Sequence, residues 1–133
     1  MLAKAVKILS NVWLQALLLA AITAAITAQS VLLKPKTFAP NGPTYTHYNN
    51  YIIFKQSYFH LVSDSDLYRL YPAEHWDYYK YSPTFAFLMA PLAALPNAPG
   101  LFIWNLLNVL VLLFAIRKLP LPSDGNRLAA LGL

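Results

Sequence analysis

Charge is absent from two long stretches of this chain, the 26 residues between Lys7 and Lys34 and the 35 residues from Ser82 to Ile116. Runs of that kind cannot form the wet surface of a small globule, so they must be covered by protein or by lipid. Protein is in short supply: 58% of the 133 residues are hydrophobic and 11% are charged, against roughly 25% charged in an average soluble domain. Ten basic and five acidic side chains are too few to keep a chain of this length dispersed in water. Lipid is therefore the implied solvent, and the fold class that follows is an all-α integral membrane protein.

The first run, residues 8–33, reads as an N-terminal transmembrane helix, because about 20 residues at ~1.5 Å each cross the hydrocarbon. Lys4, Lys7 and the small residues Thr23 to Ala25 also resemble a cleaved signal peptide. Its apolar region would run only ~7–15 residues, so a retained anchor is the preferred reading. The second run contains Pro83, Pro91, Pro96 and Pro99. A turn is signalled from Pro96 to Gly100, which divides the run into 83–95 and 101–116. These would be about 19 and 24 Å long as helices, short of the ~30 Å core, and are expected as a hairpin of two short transmembrane helices. Residues 128–133 resume an apolar pattern, expected as the start of a further helix in the front part of something longer. Lys4 and Lys7 place the N-terminus in the cytoplasm and the loop 34–82 outside. A complete hairpin would then leave Arg117, Lys118 and Arg127 outside against the charge rule, unless 83–95 is re-entrant or later helices override it.

A net charge of +5 raises nucleic acid as a partner, but the ten cations are scattered and form no stripe able to track phosphates. No nucleic-acid binding is expected; membrane lipids are the partners that flanking cations suit. The absence of cysteine excludes disulfides, thiolate metal sites and a Cys nucleophile. No glycine-rich phosphate loop, zinc spacing or nucleophile elbow is present, and no cofactor is expected.

The polar chemistry is concentrated in the loop, where Lys34 to Tyr81 hold all nine tyrosines, all three histidines and four of the five acids. Amphipathic aromatics of this kind settle at a membrane interface. Tyr51, Phe54, Tyr58, Leu61 and Val62 recur at helical spacing with Lys55 and Gln56 opposite, predicting an interfacial amphipathic helix from Asn49 to Val62 capped by Thr46 or Asn49. A second short helix is predicted near Pro72, with Glu74 in its first turn. Asp64 and Asp66 are spaced as a divalent-ion pair, although a turn is the preferred reading. Glu74, His75 and Asp77 do not share a helical face, so solvation is preferred to a metal role and no metal site is expected. His47 and His60 are isolated in sequence. Trp13, Trp76 and Trp104 read as interface anchors or packing residues. Asn105 and Asn108 share a helical face and suit either helix association or a polar cavity.

The order of these features is distinctive: Tyr48-Asn49-Asn50-Tyr51-Ile52-Ile53-Phe54-Lys55, then Asp66-Leu67-Tyr68, then Tyr79-Lys80-Tyr81-Ser82-Pro83, then Pro91-Leu92-Ala93-Ala94-Leu95-Pro96 and Trp104-Asn105-Leu106-Leu107-Asn108. From about Tyr48 to Ile116 the chain resembles the front of glycosyltransferase family 87. The resemblance implies the N-terminal part of a GT-C-type fold in the inner membrane, multi-pass, with its first loop periplasmic. It implies transfer of a hexosyl or mannosyl group from a polyprenyl-phosphate-linked sugar to a glycan or glycolipid acceptor. An acid early in the loop would take the acceptor proton. Counting back from Asp66 puts that acid at Asn50, whose amide is no general base. Either Asp64 or Asp66 replaces it, or Asn50 orients the acceptor, or the chain is not catalytic in this way. The resemblance further suggests Lys55, Arg69 and Lys80 for lipid phosphate, and Tyr79 and Tyr81 for the sugar. The rival from another class is a small non-catalytic membrane scaffold associating through Asn105 and Asn108.

Overall fold

The computed structural model describes residues 8–38 and 40–132. They are mostly helical. In chain order the elements are α1 (Val12–Leu32), β1 (Lys36–Thr37), β2 (Thr44–Tyr45), α2 (Asn49–Val62), α3 (Pro83–Leu88), α4 (Ala90–Ala93), α5 (Asn97–Lys118) and α6 (Asp124–Leu131). Two compact units divide the chain, one formed by the sequence up to Ala25 with that from Trp104 on, the other by Ile26–Ile103.

α1 and α5, of 21 and 22 residues, are long and apolar enough to cross a membrane; at ~1.5 Å per residue each is about 32 Å long. α1 starts at Asn11, whose Oδ1 accepts from the N–H groups of Trp13 (2.9 Å) and Leu14 (3.3 Å), relieving the orphan donors of a first turn. Its surface is inverted relative to a soluble helix. Leu17 and Leu32 are exposed while Gln15, Thr23 and Thr27 are buried, as expected where the solvent is hydrocarbon. In the first unit Arg117 donates to Gln15 Oε1 (3.1 Å) and to the Ser10 carbonyl (3.2 Å), so the last turn of α5 meets the start of α1.

The predicted hairpin is corrected. α3 and α4 have six and four residues and cannot span. Ser82 caps α3 by accepting from Phe85 N–H at 3.2 Å, with Pro83 preset at the first position. Pro91 has no N–H for the Phe87 carbonyl, so the helix cannot run on unbroken. The turn expected at Pro96 to Gly100 is instead the first turn of α5. The N–H that Pro99 lacks belongs to a set that has no helical partner in any case. α6 likewise begins at Asp124 rather than 128, where Ser123 caps by accepting from Asn126 N–H at 3.2 Å, and ends at Gly132 with φ 75°.

The second unit is organised around α2, which has the predicted bounds but a different buried face. Tyr51, Ile53, Ser57 and His60 are inside, whereas Val62 is exposed. α2 packs on α3 and α4, and Ile53, Leu67, Tyr79 and Ala86 form a core flanked by Phe54, Leu61 and Phe85. Tyr51 donates its hydroxyl to the Leu92 carbonyl at 3.3 Å. A two-residue ladder pairs Lys36 with Tyr45 and Thr37 with Thr44. The helix predicted near Pro72 is a single turn, in which the Tyr71 carbonyl accepts from Glu74 N–H (2.9 Å) and His75 N–H (3.1 Å).

Candidate functional site

A recess of about 280 Å³ opens at the N-terminal end of α2, lined by Lys36, Phe38, Thr46, His47, Tyr48, Asn49, Asn50, Trp76 and Asp77. Its wall is aromatic: the rings of Phe38 and Trp76 stack with centroids 4.7 Å apart, and Tyr45 meets Trp76 edge-on at 5.8 Å. Offset stacks of this kind present a flat apolar face. Lys36 stands over the Phe38 ring at 5.2 Å, a cation–π contact.

Asn49 fixes the wall to the helix. No side chain caps α2, whose N-cap position is Tyr48, so neither Thr46 nor Asn49 has the expected capping role. Asn49 instead donates Nδ2–H to the Trp76 carbonyl (2.6 Å) and accepts from the Trp76 N–H at Oδ1 (2.8 Å). Thr46 Oγ1 is buried and has no hydrogen-bond partner among the described residues. A buried hydroxyl in that state costs about 1–3 kcal/mol.

Asp77 is the acid in the lining. Its backbone lies at φ 93°, a conformation that costs a non-glycine residue about 1–3 kcal/mol and recurs at functional sites. Oδ2 accepts from Lys80 Nζ at 2.6 Å and Oδ1 accepts from the Tyr78 N–H at 2.8 Å. The Lys80 contact, followed by the Tyr78 amide, holds the carboxyl below the usual carboxylate range, so Asp77 is ionised at neutral pH.

The residues singled out from sequence are dispersed. Asn50 lines the recess and Lys80 adjoins it through Asp77. Asp64 and Asp66 follow the far end of α2, about 18 Å along its axis from Asn50, and serve a turn: Asp64 lies at φ 56°, and Asp66 Oδ1 accepts from Tyr68 N–H at 2.9 Å. Lys55 is drawn away from solvent anions, donating to the Leu95 carbonyl at 2.6 Å and to Asn97 Oδ1 at 3.0 Å. Arg69 is exposed beyond the Asp66 turn. Tyr79 is corrected from a sugar contact to a core residue, 3% exposed, whose hydroxyl donates to the Ser82 carbonyl at 2.6 Å; burial pushes that hydroxyl's pKa up. Tyr81 is half exposed and packs edge-on to Phe54. Asn108, offered for helix association, donates to Trp104 of its own helix at 2.7 Å.

Two features went unread in the sequence. The Asn49–Trp76 clasp joins residues 27 apart, and His60 meets Glu74 with Nε2 and Oε2 3.0 Å apart. Neither has a local spacing signal, because both depend on the segment after Tyr71 folding back along α2.

Comparison with known proteins locates a family in the later half of the chain: residues 79–132 match the family model described as glycosyltransferase family 87. The match covers 54 of the 133 residues, beginning at Tyr79 and including α3, α4, α5 and α6. This segment is therefore similar to a family of glycosyltransferases. No curated protein and no solved structure matches the chain.

Proposed function

We propose, with the glycosyltransferase family 87 segment as premise, that this chain is the N-terminal membrane portion of a GT-C-type enzyme. It transfers a hexosyl group, mannosyl in the first instance, from a polyprenyl-phosphate-linked donor at the periplasmic face of the inner membrane. The single observation carrying this reading is the match over residues 79–132. The recess beside Asn50 is where we place the acceptor, since a flat aromatic wall facing amide and carboxylate groups suits a sugar, whose ring has an apolar face and a hydroxyl rim.

In this proposal Asp77 accepts the hydrogen bond of the attacking hydroxyl and takes its proton as the sugar transfers with inversion and the lipid phosphate leaves. Its low pKa makes it a weak base, ionised throughout the neutral range, so the proton moves late in the transfer. Asn50 orients the acceptor through its amide. Lys80, exposed beside Asp77, offsets the charge of the departing phosphate; Arg69 lies beyond the Asp66 turn, away from the recess, and Lys55 helps to hold α2 to the start of α5. Two spans, α1 and α5, return the chain to its starting side, so Arg117, Lys118 and Arg127 join Lys4 and Lys7 in the cytoplasm. The charge conflict of a three-span reading then disappears.

The test uses membranes containing the full-length protein and a panel of polyprenyl-phosphate hexoses. Sugar transfer is expected, falling about 10²-fold or more in Asp77→Asn. A folded protein that turns over no donor in the panel overturns the enzyme reading. Transfer that survives intact in both Asp77→Asn and Asn50→Ala overturns the site. No observation favours the non-catalytic scaffold specifically, since Asn108 is engaged within its own helix.

A further inference from the structure

Beside the last turn of α2, His60, Glu74 and His75 each bring one possible ligand atom to within 4.8 Å of one another. His60 and His75 are buried and Glu74 reaches them from the surface, its side chain 34% exposed. We propose that these three residues bind a divalent transition-metal ion, with Zn²⁺ the ion the donor set fits best. This inference stands independently of glycosyl transfer.

Two imidazoles and one carboxylate are the donor types that Zn²⁺ takes in three-ligand sites, leaving a fourth position to water. Tetrahedral Zn²⁺ with bonds of about 2.0–2.1 Å puts its ligand atoms roughly 3.3 Å apart. His60 Nε2 and Glu74 Oε2, 3.0 Å apart, are already near that spacing. Hard cations such as Mg²⁺ and Ca²⁺ prefer all-oxygen shells and fit this set poorly.

The surroundings prepare the ligands. His75 Nδ1 faces the Asp77 carbonyl at 2.9 Å, which makes Nδ1 the N–H and leaves the lone pair on Nε2. The His60 ring stacks on Tyr71 at 3.8 Å, and the Tyr71 hydroxyl donates to the Asp66 carbonyl at 2.8 Å. The same Tyr71 carbonyl that accepts from the Glu74 and His75 amides closes the turn holding both ligands. The partial exposure of Glu74 supplies the entry path.

The test is metal content and ligand-field spectroscopy on the full-length protein in detergent, without a histidine tag. Wild type and His47→Gln are expected to retain about one Zn²⁺ per chain through gel filtration, and Glu74→Gln and His75→Ala to bind at least ~10-fold more weakly. After chelation and reloading with Co²⁺, the wild type should show the intense visible bands of four-coordinate Co²⁺. Retention of less than a tenth of an equivalent by the wild type overturns the proposal, as does full retention by Glu74→Gln and His75→Ala together. Should those variants fail to fold, the wild-type Co²⁺ spectrum decides alone, and absence of the four-coordinate bands overturns the site.

Discussion

Gly100 shows how a single residue reverses a general rule. It sits in the first turn of α5, where alanine ordinarily gains up to ~1 kcal/mol over glycine. A Cβ there would stand 2.0 Å from the Tyr51 hydroxyl oxygen and 3.3 Å from the Leu92 carbonyl oxygen. Gly100→Ala should therefore destabilise the protein, by about 1–3 kcal/mol as overpacking does, with part of the loss recovered in the double variant with Tyr51→Phe. Denaturation in detergent measures both. In the metal-free protein, His75 gives a pH dependence whose sign follows from its burial. Its folded pKa lies below the ordinary 6.5, chiefly through burial, so the unfolded chain binds the extra proton first. The His75 contribution to stability is full above about pH 6.5 and is lost as pH falls below it. Melting temperature measured from pH 8 to pH 5 should decline through that window, with a smaller decline in His75→Gln. Neither residue was legible in advance: the glycine read as a turn former and the histidine as a solvated loop residue, because what decides both is a neighbour distant in sequence.

Among the elements, α1 and α2 were readable, whereas the start of α5 and the short helices were not. The uncharged run ending before Lys34 and the periodicity from Tyr51 to Val62 correspond to α1 and α2, since length and spacing are local properties. The buried side of α2 was not readable. Ser57 and His60 are polar by type, yet they face inward because Glu74 and the core partners of α2 come from the loop beyond it. Pro96, Pro99 and Gly100 misled in the opposite direction. The signals that mark a turn are also tolerated at a helix N-terminus, where backbone N–H groups have no partner to lose. A single span in place of a hairpin would change the topology, and the cysteine-free sequence makes it simple to check. Lys118→Cys should be shielded from a membrane-impermeant maleimide applied outside, and Arg69→Cys should be labelled. Labelling of both positions from outside would rule out the two-span reading, and the reverse pattern would invert its orientation.

For the whole molecule, the membrane assignment follows from which side chains face outward. Val111, Leu112 and Phe114 on α5 and Leu17 and Ile26 on α1 are exposed, far more apolar surface than a monomer in water carries. The protein is expected to remain with membranes through alkaline carbonate washing and to require detergent for a monodisperse state. Recovery as a monodisperse species in plain buffer would contradict this. Composition alone made the same point, because scarcity of charge is a bulk property that needs no fold to be felt. The recess could not be foreseen that way, as its walls come from the strand region, the head of α2 and the segment around Trp76. The clasp of Asn49 on Trp76 has a practical corollary. That indole is seated against Phe38 at the mouth of the recess, while Trp13 and Trp104 lie on the two long apolar helices. With those two replaced by phenylalanine, the remaining fluorophore becomes an optical gauge of the proposed occupancy, its emission expected to shift on titration with a sugar that shields the stacked ring from water.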